Sequence, residues 1–244
     1  SYSQEFCWDL TASTSNLGYA EVRAGPQGSI ASEAQCLCPE NTRIYASIGN
    51  NGMCKPTFQP KSKAELQTAV DFWCSDEASA RVTHGDINSW DTSLITDMSE
   101  LFKDKTTFNS TISAWDTSKV ETMENMFYLA KKFDQEINDW DTSSVKSMTA
   151  MFLSAESFAR NLDSWDTSKV TNMSEMFSYA KKINCNIGKW DVSNVINMEK
   201  MLYGANNLVC DLSSWNISNV SNMRCIFHFD DIKNNEMVIK YFNK

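Results

Sequence analysis

The sequence is short of the residues that most catalytic chemistry requires. It holds two histidines, His84 and His228, among 244 residues, too far apart in the chain to suggest a base and its orienting partner. None of its eight glycines belongs to a Gly-rich phosphate loop. No apolar run approaches the roughly 18 residues of a membrane span, so membrane insertion is not expected. No basic start followed by an apolar middle marks a leader either; the expectation is a leader removed before Ser1. Positive charge is also in deficit, with 22 Lys and Arg against 31 Asp and Glu and a net charge of −9. Nucleic acid and anionic membrane surfaces both call for a basic face, which excludes them as main partners. The pairs Lys131-Lys132 and Lys181-Lys182 read as a solvated face.

Hydrophobic residues make up 42% and charged residues 22%, the composition of a folded chain able to bury a core. Eight cysteines are placed unevenly: Cys7, Cys36, Cys38, Cys54 and Cys74 early, then Cys185, Cys210 and Cys225. Residues 1–60 show no sustained period and carry Gly25-Pro26, Pro39, Asn50-Asn51-Gly52, Pro56 and Pro60, the punctuation of a loop-rich segment that needs staples. Disulfides in an oxidising compartment are the expected use of these cysteines. Zinc is the weaker reading, because Cys36-Leu37-Cys38 lacks the common ligand spacing. From Lys61 the pattern changes. Ser62 and Glu65 form a capping box, and Leu66, Ala69, Val70 and Trp73 follow at spacings of three and four, which predicts an amphipathic helix. Residues 61–80 are read as an N-terminal cap.

The dominant feature is a repeat. Tryptophan returns every 25 residues, at 90, 115, 140, 165, 190 and 215, and a fixed period of this length marks stacked units. Aligned on it, Ile112, Trp115, Val120, Met123, Met126, Phe127, Ala130 and Phe133 recur one period later as Ile137, Trp140, Val145, Met148, Met151, Phe152, Ala155 and Phe158. The residue before the first methionine of each unit, Asp97, Thr122, Ser147, Asn172, Asn197 or Asn222, is a good helix N-cap, with Glu100 and Glu175 completing capping boxes. The slots that follow fall at i, i+3, i+4 and i+7, one face of a helix of about two turns. The segment before each tryptophan reads as a short strand, paired in parallel about 4.8 Å from its neighbours. The predicted architecture is an α/β solenoid of six 25-residue units over residues 81–230, closed by a C-terminal cap over 231–244 with Met237, Val238, Tyr241 and Phe242 on one face.

The unit Trp115-Asp116-Thr117-Ser118-Lys119-Val120-Glu121-Thr122-Met123-Glu124-Asn125-Met126-Phe127 resembles the repeat of BspA-like leucine-rich-repeat surface proteins, found in mycoplasma surface lipoproteins and in secreted proteins of marine protists. The segment from Ala64-Glu65-Leu66 to Gly85-Asp86-Ile87 is similar to the leader that precedes such repeats. The resemblance covers residues 58–228. It implies a leucine-rich-repeat-like stack, an extracellular or cell-surface setting, and adhesion or protein binding without catalytic residues. Asn216 in place of Asp, Leu202 in place of Phe, and the cysteines at 185, 210 and 225 depart from the pattern.

Repetition aligns Asp91, Asp116, Asp141, Asp166 and Asp191 in a column. Calcium is the ion such a column would suit, but each Asp locking its own Thr-Ser turn is the stronger reading, and no cofactor is expected. The methionines read as core, and the tryptophans as stacked core or rim rather than a sugar platform. Cys185 and Cys210 occupy equivalent slots, so their Cα atoms should lie about 5 Å apart, within disulfide range. The disulfide candidates are Cys7, Cys36, Cys38, Cys54, Cys74, Cys185 and Cys210, with Cys225 left over. Four glycosylation sequons begin at Asn109, Asn172, Asn216 and Asn219, and Asn109 is the preferred one.

If Ile112 and its equivalents point inward, alternation places Thr111, Ser113, Glu136, Asn138, Asn161, Asp163, Asn186, Gly188, Asp211 and Ser213 on an outer polar face. The function expected of that face is binding or adhesion to a protein or glycan surface. The alternative is a structural subunit of a larger extracellular or membrane-associated assembly, built with copies of itself or other subunits.

Overall fold

The computed structural model describes residues 57–184 and 186–227. The chain divides between Phe58 and Gln59 into two units, and the elements below belong to the second. The proposed cap at 231–244 and most of the loop-rich segment at 1–60 lie outside the described residues.

Two helices lie within 61–84 where one is predicted over 61–80. Helix α1 spans Lys63–Ser75 and α2 spans Glu77–His84. Ser62 caps α1 by accepting from the Glu65 N–H at 3.2 Å, while the Glu65 carboxylate accepts from the Lys61 N–H at 2.8 Å. The break comes at Asp76, whose extended backbone (φ −148°) ends α1 and whose side chain accepts from the Ser79 N–H at 3.0 Å to start α2. Leu66, Ala69, Val70 and Trp73 form the buried stripe of α1.

The repeats correct the predicted fold class. Among the described residues, both α-helices precede the first repeat tryptophan, and the only β pairing is a column of single parallel bridges, Asp97 to Thr122 to Ser147 to Asn172 to Asn197 to Asn222. There is neither a strand before each tryptophan nor a helix after each bridge, so an α/β solenoid of strand-plus-helix units is not what forms. Each unit is instead a run of turns.

The hydrogen bonds show why a helix does not form. The N–H groups of Met123, Asn125, Phe127 and Leu129 leave the unit and reach the carbonyls of Ser147, Thr149, Met151 and Leu153 at 2.8 to 3.1 Å. The intervening N–H groups of Met126, Tyr128 and Ala130 close three-residue turns onto Met123, Asn125 and Phe127. Alternate residues therefore bond along the stack and within the unit. This geometry needs left-handed backbone at Asn125 (φ 54°) and Leu129 (φ 56°), and at Glu100 and Glu175, where capping-box residues are predicted. Each such non-glycine residue costs about 1–2 kcal/mol. A two-turn helix would leave four N–H and four C=O groups unpaired at its ends; the turn run pairs them with neighbouring units. Turns that close every three residues place the same slots inward as a helix would, which explains why the periodicity suggests one.

The predicted N-caps accordingly do another job. Asp97, Asn172, Asn197 and Asn222 accept from the N–H two residues ahead, at 2.8 to 3.1 Å, a local turn motif and not a helix cap. Thr122 does the same at 3.4 Å, and the Ser147 hydroxyl contacts Thr149.

Helix α1 lies against the first repeat. Gln67 Nε2 donates to the Leu101 carbonyl at 3.1 Å. In the next unit the equivalent carbonyl, of Met126, accepts the Phe102 N–H, so a side-chain amide substitutes for a missing unit. Trp73 Nε1 donates to Ser110 Oγ, and Lys105 pairs with Asp71 at 2.6 Å. Inside the stack, Phe102, Phe127, Phe152 and Phe177 stack at 5.3 to 5.6 Å, and Phe108, Phe133 and Phe158 form a second column. The apolar slots from Ile112 to Phe133, and their equivalents from Ile137 to Phe158, are buried.

Candidate functional site

Ile112, Ile137, Leu162, Ile187 and Leu212 are buried, and the residues beside them form a polar face. Thr111, Ser113, Glu136, Asn161, Asn186, Asp211 and Ser213 are exposed, and Asn138 and Asp163 are half-buried. The cause is not strand alternation. Ile112 accepts the Trp115 N–H in a tight turn, and its neighbours project outward from that turn. Gly188 is a correction: it is buried, and a Cβ there would lie 2.1 Å from the Asp211 carbonyl oxygen.

Much of the face is internally bonded. Asn138 donates from Nδ2 to Ser164 Oγ at 2.9 Å and accepts the Ser164 N–H at 3.2 Å. Arg160 reaches back one unit to Asp134 and Glu136, both at 2.9 Å. Asn161 donates to Asp163, and Asp211 accepts the Ser213 N–H at 2.9 Å. Thr111 and Ser113 contact each other at 3.4 Å.

Each column aspartate accepts the N–H of the serine two residues on, at 2.9 to 3.1 Å from Asp91 to Asp191. Bonds from Ser143, Ser168 and Ser193 hold the carboxyls of Asp141, Asp166 and Asp191 below the usual carboxylate range. The threonine between is buried, and its hydroxyl donates to the Asp carbonyl of the next unit at 2.9 Å for Thr92, Thr117, Thr142 and Thr167. Among the described residues no group of three or more His, Cys, Asp or Glu is arranged to hold a metal ion.

The repeat tryptophans are 1 to 4% exposed, so they offer no platform to a sugar. Nine of the ten repeat methionines are buried, Met223 being half-exposed. Among the described residues Tyr179 is 47% exposed, and the half-buried Tyr203 is set edge to face against it at 5.4 Å. Gly204 carries φ 74°, and a Cβ on it would lie 2.8 Å from the Tyr179 ring. The sequence signal for this pair is the glycine standing where the previous unit has Tyr179 itself.

The disulfide expectation is corrected at Cys74 and Cys210, which are free thiols, as is Cys225, the cysteine expected to be left over. Burial pushes the Cys74 and Cys210 thiols up to about 11. Cys7, Cys36, Cys38, Cys54 and Cys185 lie outside the described residues. Asn109 is exposed.

A family model described as Mycoplasma protein of unknown function, DUF285, matches residues 74–184 and again 157–240. The chain belongs to this family. The two DUF285 matches overlap at residues 157–184 and together span every repeat tryptophan from Trp90 to Trp215. The DUF285 description assigns no activity, so no residue role is taken from it. No curated protein and no solved structure matches the chain.

Proposed function

We propose that this protein is a secreted or cell-surface binding and adhesion module of the BspA-like kind, non-catalytic, that holds an extended protein or glycan surface along its polar face. The observation that carries this reading is the recurrence of exposed polar residues beside each buried Ile or Leu, from Thr111 to Ser213. A row repeated unit by unit suits an extended partner. The column threonines bond the next unit, and the column aspartates lock turns. Among the described residues, the depressions at Ala159, Lys182, Asn184 and Asn207 and beside α1 at Lys63, Gln67, Glu100 and Lys103 are open to solvent.

Binding of the full chain to cell surfaces, and to arrayed glycans and surface proteins, tests the reading. Replacing Thr111, Glu136 and Asn186 together by Ala should reduce binding at least tenfold while the melting temperature moves little. Unchanged binding would sink the assignment of the face.

A structural subunit of a larger extracellular assembly is the second reading. It is favoured by the exposed apolar side chains Val82, Ile196 and Val209, and by the exposed Cys225 thiol. Sedimentation with and without reductant separates the two, since a monomer in both conditions counts against the assembly.

A further inference from the structure

The fold puts the four sequon asparagines to different uses. Asn219 donates from Nδ2 to the Ser193 carbonyl at 2.6 Å, repeating the bond from Asn194 to the Ser168 carbonyl at 2.8 Å one unit earlier. Asn219 is exposed, but one N–H of the nitrogen that would carry a sugar is already given to the Ser193 carbonyl. A substituent there must share the nitrogen with the backbone of the neighbouring unit. Asn172 is half-buried in the bridge column, between Ser147 and Asn197, so a substituent on its amide would have to emerge between side chains spaced about 4.8 Å away on either side.

Asn109 and Asn216 are exposed, and in both the oxygen carries the structural bond. Asn109 Oδ1 accepts the Asp134 N–H at 2.8 Å and Gln135 Nε2 at 3.0 Å, both from the next unit. Asn216 Oδ1 accepts the Ser218 N–H at 3.2 Å. A substituent on either nitrogen leaves these bonds in place.

We propose that Asn109 and Asn216 carry N-linked glycans on the folded protein, and that Asn172 and Asn219 do not. The inference rests on the extracellular reading above, because the donor, a lipid diphosphate-linked oligosaccharide, belongs to a secretory compartment. In the transfer, an Nδ2–C1 bond forms and the C1–O bond to the diphosphate breaks. The lipid diphosphate leaves with the electron pair, and one amide proton passes to a base of the transferase. The oxygen remains an acceptor throughout. A glycan at Asn109 stands two residues from Thr111, at the start of the proposed binding face.

The test is a peptide map of the full chain, secreted from insect cells behind an added leader. Enzymatic release of the glycans in heavy-oxygen water converts each occupied asparagine into a labelled aspartate. Label at Asn109 and Asn216, with none at Asn172 and Asn219, is the expected result. A secreted chain bare at Asn109 or Asn216, or labelled at Asn172 or Asn219, overturns the assignment. The same map on protein from its own cells isolates the modification: label in the recombinant chain but none in the native one overturns the claim that the native protein carries these glycans and leaves the sorting of sites intact.

Discussion

The indole Nε1 of Trp165 donates to the carbonyl oxygen of Ile137 at 3.0 Å, across 28 residues of chain. The same bond joins Trp115 to Ile87, Trp140 to Ile112, Trp190 to Leu162 and Trp215 to Ile187. The tryptophan is thus a tie from each unit to the one before. Replacing Trp165 by Phe keeps an aromatic ring but removes this bond, leaving the Ile137 carbonyl with the Trp140 N–H alone, which costs about 0.5–1.5 kcal/mol. Urea denaturation should show that loss; a shift under half a kcal/mol would mean the tie is not what selects tryptophan here.

Gly188 meets the Asp211 backbone so closely that a Cβ would lie 2.1 Å from the carbonyl oxygen. Because the obstacle is backbone, it cannot rotate aside. Gly188→Ala should destabilise by about 3 kcal/mol. Ser113→Ala, in the equivalent but exposed slot, should be nearly silent. Equal melting temperatures for the two variants would contradict the close approach.

The turn-locking aspartates predict acid sensitivity. The serine bonds at Ser143, Ser168 and Ser193 lower the folded-state pKa of Asp141, Asp166 and Asp191. Their contribution is therefore present above an unfolded pKa of about 3.9, and it is lost as pH falls through the lower folded value. Asn216 already fills this slot and still accepts from Ser218. Asp→Asn replacement at the three positions should keep the turns and flatten the decline in urea midpoint between pH 4 and 2. An unaltered acid limb would show that other groups govern it.

Cys74 is half-buried and Cys210 buried, both thiols raised to about 11, while Cys225 is exposed. At pH 8, pulse alkylation followed by peptide mapping should modify Cys225 within minutes and leave Cys74 and Cys210 intact until denaturant is added. Rapid labelling of Cys210 in the native chain would contradict its burial.

The sequence by itself determined the unit length, the buried slots and the locks at each corner. Burial of Ile112, Trp115, Val120, Met123, Met126, Phe127, Ala130 and Phe133 follows from their recurrence, since like residues in stacked units share one environment. The start of α1 was equally legible, because Ser62 and Glu65 act within one turn of chain.

The conformation of each unit was decided only in the tertiary structure. A spacing of three and four residues is satisfied both by a helix and by successive three-residue turns. The sequence window from Thr122 to Ala130 contains nothing that separates the two. The partners that do are a whole unit away: the carbonyls of Ser147, Thr149, Met151 and Leu153 receive the N–H groups that a helix would have kept. Once those bonds exist, Asn125 and Leu129 hold left-handed backbone, which asparagine tolerates locally but leucine takes up only where neighbouring units impose it. The same distance hid Gly188 and the tie from Trp165 to Ile137, because each depends on atoms that local periodicity cannot bring together.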